Sequence, residues 1–220
     1  MAIPKIIYQT YRNSNLPWIT RFFIWWGRSQ NKDYRYEFYN DERIEAFLKK
    51  EYAPDVYNAY SKLAIGAAKG DFFRYAILYK TGGVYMDIDG AILRPLHNII
   101  LPEDSAIITR ENVKEFRYVQ WALVYDKGHP FMKKTLDQCI DNIKHNRYPH
   151  DVHRMTGPTA YTEAIQESLK ENPTIEHRVF GFDYERKKKG VLIPKHFLNR
   201  VMYFRNERWN KVQLKRTVLK

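Results

Sequence analysis

Residues 61–89 hold a helix-to-strand unit that constrains this chain more than any other segment. Leu63, Ala64, Ala67, Ala68, Phe72, Tyr75, Ala76 and Tyr79 recur at three- and four-residue steps, so the spacing predicts one helix over 61–81 with a single buried stripe. Gly82 is placed to end that helix in a left-handed conformation, and Gly83 lets the chain turn into the apolar strand Val84-Tyr85-Met86. Asp87-Ile88-Asp89 follows at once. If the strand continues, its alternation puts both carboxylates on one side, where they can converge on one cation. Oxygen ligands suit magnesium or manganese, and an ion held by one or two carboxylates commonly fills its remaining positions with substrate phosphates. A lone Asp-x-Asp reads more simply as a solvated acidic turn; the helix, Gly-Gly and strand around it set this copy apart.

Asp71 and Arg74 lie three apart on the same helix and share a face. Taken alone they are a surface ion pair, contributing roughly 0 to 1 kcal/mol. The order of elements instead carries them to the carboxyl end of the strand, where open α/β sheets bind ligands.

The remaining pattern is α/β throughout. Strands are expected over residues 3–8, 34–39, 84–87, 106–109 and 119–125, and further helices over 41–51, 130–145 and 158–170. Asn40 or Asp41 can cap the first of these helices, and Pro130 and Pro158 suit first-turn positions. At 220 residues with no Gly/Ser linker, repeat or composition break, residues 1–220 read as one domain with a basic C-terminal tail at about 205–220.

Asp71-Phe72-Phe73-Arg74-Tyr75, then Leu78-Tyr79, then Gly82-Gly83-Val84-Tyr85-Met86-Asp87-Ile88-Asp89, resembles the sugar-binding DXD region of glycosyltransferase family 32. Ile3-Pro4-Lys5-Ile6-Ile7-Tyr8-Gln9-Thr10 resembles that family's first strand, with Tyr8 in place of its usual His. Gly128-His129-Pro130 and Thr156-Gly157-Pro158 resemble two further landmarks, so the resemblance runs from about Ile3 to Trp209. The family includes initiating α-1,6-mannosyltransferases and capsular or lipopolysaccharide sugar transferases, and its core is similar to that of the clostridial glucosylating toxins.

The resemblance implies a single-domain, Rossmann-like GT-A fold with a central mixed sheet. It implies a metal-dependent hexosyltransferase that uses a UDP- or GDP-hexose and manganese or magnesium, acts on a glycan or glycolipid acceptor, and retains anomeric configuration. Tyr8, Gln9 and Thr10, with Asp87, are then expected at the nucleotide, Asp71 and Arg74 at the donor sugar, and Asp89 on the metal with Asp87 beside it. Relatives add a C-terminal His just before Ser-Trp. The matching stretch here, Tyr203-Phe204-Arg205-Asn206-Glu207-Arg208-Trp209, has neither, which leaves His196, Asn206 and Glu207 as open candidates for a third ligand.

A formal charge of +12 brings nucleic acid to mind, because clustered Lys and Arg bind phosphate. No nucleic-acid module accompanies the charge, and a basic rim equally attracts a nucleoside diphosphate or an anionic glycan. No nucleic-acid partner is therefore expected. Cys139, the one cysteine, falls in a helical run and reads as an inert buried thiol. No signal-peptide pattern or stretch of roughly 20 apolar residues is present, so the expectation is a cytoplasmic enzyme, with peripheral membrane contact as a second possibility. That possibility rests on residues 18–26, Trp-Ile-Thr-Arg-Phe-Phe-Ile-Trp-Trp. Aromatics dominate cores by area, so the favoured reading is a buried helix or flap packed on the sheet; the sharper one is an interfacial patch.

A rival reading takes Asp87 and Asp89 as the nucleophile and general acid of a haloacid dehalogenase-type phosphatase, with Asp137 and Asp141 as a late acidic pair. It places the motif after the wrong strand and leaves Asp71, Arg74 and Gly82-Gly83 without a role.

Overall fold

The computed structural model describes residues 3–185, 192–194 and 209–220. Its centre is a mixed six-stranded sheet in the order β2-β1-β3-β6-β5-β7. Strand β1 (Ile6–Thr10) pairs in parallel with β2 (Arg35–Tyr39) and β3 (Gly83–Met86). A short strand β4 (Gly90–Ile92) leaves this sheet, β5 (Ala106–Arg110) returns to it, and β6 (Ala122–Tyr125) runs antiparallel to both β3 and β5. Strand β7 (Arg178–Phe182) closes the far edge in parallel with β5, while β8 (Leu192–Pro194) pairs with β4 in a separate ribbon. This is a single α/β domain with a central mixed sheet, as the resemblance implies.

Strand alternation divides the core into two layers. Tyr8, Tyr85, Leu123 and Tyr125 face helices α2 (Asp41–Glu51), α3 (Pro54–Lys62), α4 (Gly66–Thr81), α5 (Pro130–Lys144) and α6 (Pro158–Glu171). Ile7, Val84, Met86 and Val124 face Ile92, Leu96, Ile99 and Tyr184 on the other side. Every residue of α4 from Asp71 to Leu78 is buried, which makes it the central helix. Gly82 and Gly83 then turn the chain at φ +65° and +113°. A Cβ there would lie 2.6 Å from Lys127 N and 2.7 Å from Ile6 O, so both positions require glycine.

The predicted helix over 61–81 is in fact two. Leu63 is extended at ψ 125° and forms an antiparallel bridge with Leu219. Ala64 N–H donates to Val218 O at 2.8 Å, Lys220 N–H to Lys62 O at 2.8 Å, and Val218 N–H to Pro149 O at 2.7 Å. Leu63 and Val218 are fully buried. Chain from the far end thus supplies the hydrogen bonds that one continuous helix would have used, and local periodicity carries no trace of it.

Residues 18–26 also depart from expectation. They lie in α1 (Trp18–Gln30), but only Thr20 and Gly27 of this helix are buried. Trp18, Phe22, Trp25 and Trp26 are 76, 44, 59 and 37% exposed, so the aromatic face does not pack on the sheet. Cys139 is buried as anticipated, and burial holds its thiol well above the ordinary range.

Candidate active site

The strand before the acidic pair ends at Met86, one residue earlier than expected. Asp87-Ile88-Asp89 forms a tight turn, closed by Gly90 N–H donating to Asp87 O at 2.8 Å. The carboxylates are therefore brought together by a turn rather than by strand alternation. Asp87 is fixed from two further directions. Its N–H donates to Trp121 O at 2.8 Å, and its carbonyl accepts from Gln9 Nε2 at 3.3 Å. Tyr36 in turn donates to Gln9 Oε1 at 3.0 Å.

Arg74 is the hub of the site. Its Nη2 lies 3.1 Å from Asp71 Oδ1 and 2.8 Å from Asp87 Oδ1, its Nη1 donates to Gln120 O at 2.8 Å, and its Nε to Gly70 O at 3.4 Å. The guanidinium also lies over the Tyr85 ring, 4.8 Å from its centroid. Asp71 accepts from Thr156 Oγ1 at 3.2 Å, and Asp87 from Tyr85 OH at 3.2 Å. Asp71 and Arg74 are each 5% exposed, so the surface-pair reading fails. Its energetics fail too, because breaking a buried pair costs far more than breaking an exposed one.

One guanidinium faces the buried carboxylate of Asp71 and the partly exposed one of Asp87, so negative charge is only partly compensated. Burial pushes Asp71 up to about 7 against the opposing pull of Arg74, with the neighbouring Asp87 raising it further. Burial likewise raises Asp87 to about 6, offset by Arg74 and reinforced by Asp89. Burial works against the Arg74 charge, but Asp87, Tyr85 and Asp71 outweigh it and hold the cation firmly.

These groups line a cavity of about 620 Å³. Asp71, Arg74, Asp87 and Asp89 stand on its wall, joined by Thr10, Tyr11 and Arg12 from the end of β1. Two expected nucleotide contacts are placed elsewhere. Tyr8 points into the helical layer, 2% exposed, and donates to Thr81 Oγ1 at 3.0 Å; Gln9 lies behind the Asp87 backbone. Tyr8 and Thr10 share a face of β1, but Tyr8 lies two residues further back, under the helices, so of the expected trio only Thr10, at the strand's end, reaches the cavity, where its hydroxyl donates to Tyr39 O at 2.8 Å.

Gln120, Trp121, Glu111 and His153 also line the cavity and were not anticipated. Burial raises the Glu111 carboxyl, which pairs with Arg117 at 3.2 Å, and Arg117 Nη1 lies 3.2 Å from His153 Nδ1. The His153 ring lies against Trp209, with centroids 5.1 Å apart. A buried polar residue at the mouth of β6 was the one available signal for Gln120; nothing local marks His153. Thr156, from a landmark tripeptide, has a definite task in holding Asp71. His196, Asn206 and Glu207 lie outside the described residues. Among the described residues no group of three or more His, Cys, Asp or Glu side chains could hold a metal ion.

The phosphatase reading loses its late acidic pair. Asp137 is exposed and paired with Lys133, and Asp141 is half exposed and paired with Arg147 at 2.8 Å. Neither lines the cavity.

Residues 24–107 match the family model described as "Glycosyltransferase sugar-binding region containing DXD motif". The chain is 30% identical over 168 residues to inositol phosphoceramide mannosyltransferase 3 of Schizosaccharomyces pombe, covering 71% of this chain and 43% of that protein. It is 25% identical over 194 residues to the initiation-specific alpha-1,6-mannosyltransferase of the same yeast, covering 76% of this chain and 49% of that one. The chain thus spans about half the length of the curated relatives it matches. Among solved structures it is similar to the PaToxG glycosyltransferase, with a TM-score of 0.65 at 18% identity over 100% of this chain and 81% of that one. The UDP-bound glycosyltransferase domain of the YGT toxin follows at 0.56 and 10%, over 97% and 89%. At these identities the two structures speak for the fold.

Proposed function

We propose that the chain is a DXD-motif glycosyltransferase of the family 32 type, moving a hexose from a nucleoside diphosphate sugar to a hydroxyl of a glycan or glycolipid, with retention. The observation that carries the proposal is the Asp71–Arg74–Asp87 array, its first two members buried, beside Asp89 on one cavity wall. Mannose is the favoured hexose, because the relatives are named mannosyltransferases.

The wall chemistry fits a hard divalent cation. Asp71, Asp87 and Asp89 gather on this wall, and Asp87 and Asp89 offer oxygen donors to magnesium or manganese. Asp89 is assigned as the direct ligand, and Asp87, already engaged by Arg74 and Tyr85, as its neighbour on the nucleotide side. When bound, such an ion neutralises charge that builds on the leaving diphosphate. Arg12, Lys69 and Arg216 line the same cavity and draw the phosphates toward it.

Arg74 is engaged on all three nitrogens, which makes it a positioning residue. It holds Asp71 and Asp87 at fixed separation, with Asp71 on the cavity wall where the donor sugar would lie. Fixed geometry of this kind supplies an orientation term. His153 and Trp209 wall the cavity and shield it from water.

The test is a panel of nucleoside diphosphate sugars, each titrated by calorimetry with and without manganese, followed by mass analysis of products with oligosaccharide and glycolipid acceptors. Metal-dependent binding of one donor and a mass gain of one hexose are expected. Hydrolysis of a generic phosphate monoester, without donor binding, would contradict the proposal.

A further inference from the structure

Helix α1 presents three tryptophans and a phenylalanine to solvent. At about 100° per residue, Trp18, Phe22, Trp25 and Trp26 share an arc centred on the outward direction, with Arg21 and Arg28 along one edge of it. Thr20 and Gly27 occupy the opposite side. No Asp or Glu occurs in the helix.

The helix is clamped from behind, so this exposure is built in. A Cβ on Gly27 would meet Ile92 O at 3.2 Å. Asn31 Nδ2 donates to Gly27 O at 2.8 Å while its Oδ1 accepts from Leu96 N–H at 2.7 Å, and Trp26 Nε1 donates to Leu93 O at 3.0 Å. The tryptophans are fixed to the domain on a rigid element.

From this we propose that α1 docks the protein on a bilayer containing anionic lipid, with Trp18, Phe22, Trp25 and Trp26 in the headgroup layer and Arg21 and Arg28 against lipid phosphates. Tryptophan favours that layer because its ring is apolar and its N–H is polar. A single convex helix with aromatic centre, cationic edge and no carboxylate matches a surface-lying helix. Charge selects the occupant. A second copy of a chain with net charge +12 would set Arg21 and Arg28 against like charges, whereas an anionic bilayer attracts them. Residues 11–17 connect α1 to Thr10 on the cavity wall.

The experiment is vesicle co-sedimentation of the full chain, with phosphatidylcholine alone and with phosphatidylcholine plus phosphatidylglycerol, read alongside tryptophan emission. The wild type is expected to bind the mixed vesicles with a blue shift and the neutral ones weakly. The triple variant Trp18→Ser, Phe22→Ser, Trp25→Ser should lose binding by about tenfold or more. Arg21→Gln with Arg28→Gln should lose about as much on mixed vesicles and become insensitive to salt. Donor titration in vesicle-free buffer should be the same for all three proteins, which separates this proposal from that of the transferase site. Equal vesicle binding by wild type and triple variant would overturn the proposal, as would absence of wild-type binding. A wild-type dimer in sedimentation equilibrium that the triple variant abolishes would also overturn it, by assigning the face to a second copy.

Discussion

Arg74 Nη2 lies 2.8 Å from Asp87 Oδ1, which ties the central helix to the turn that carries the acidic pair. The same nitrogen reaches Asp71 at 3.1 Å, so the sugar-side and nucleotide-side carboxylates share one cation. Arg74→Lys keeps a charge but cannot reproduce the planar fork. Transfer should fall by about 100-fold or more, as expected when reacting groups are misplaced. Affinity for the free nucleoside diphosphate should fall as well, because Asp87 loses its anchor. Calorimetry with manganese, checked by circular dichroism, measures both; undiminished diphosphate affinity would place Arg74 on the sugar alone.

His129 gives the fold an acid-sensitive hinge point at the start of α5. Its Nδ1 accepts from Phe131 N–H at 3.2 Å, and its Nε2 lies 3.1 Å from Glu176 O as donor, so the neutral ring caps the helix. Burial depresses the imidazole to about 4 against the hydrogen bond to Glu176, which pulls the other way. The unfolded chain takes up its proton near 6.5, whereas the folded one does so only near 4. Stability from this group is therefore complete above about pH 6.5 and is lost progressively as pH falls toward 4. His129→Asn keeps a helix-capping side chain that does not titrate. Denaturant midpoints across that window should then depend less on pH than in the wild type.

The last three residues are tied to the core through buried Val218 and partly buried Leu219. Deleting Val218, Leu219 and Lys220 removes a buried valine, a contribution of about 1.5 to 3 kcal/mol, and three backbone hydrogen bonds of about 1 kcal/mol each. The melting temperature should drop by several degrees or more, with loss of donor binding only to the extent that the fold is lost. An unchanged melting temperature would show that the Leu63–Leu219 bridge does not hold in solution.

What could be read from sequence was what neighbours in the chain decide. The Gly82-Gly83 reversal, the strand after it and the carboxylates at its end are all local, as are the Asn40-capped helix α2 and the Pro130 and Pro158 starts. The break at Leu63 depends on partners at Val218 and Leu219, and so lay beyond any local pattern. The α1 period fits an aromatic face turned inward or outward equally well, and only packing of Gly27 on Ile92 decides. Tyr8 and Thr10 share a face of β1, and only the depth of the helical cover, which the motif does not show, leaves Thr10 rather than Tyr8 at the cavity. His153 meets Trp209 through a contact between distant segments that no motif announces.

The account turns on Asp89, the carboxylate assigned to the cation. Calorimetric titration of the preferred donor into wild type and Asp89→Asn, each with and without manganese, tests it most directly. Asp89 sits partly exposed in a surface turn, so the variant should fold normally. The account predicts that manganese strengthens donor binding to the wild type, and that this gain falls in the variant by more than the roughly 10- to 100-fold typical of outer-shell changes. An equal manganese-dependent gain in both proteins would contradict it.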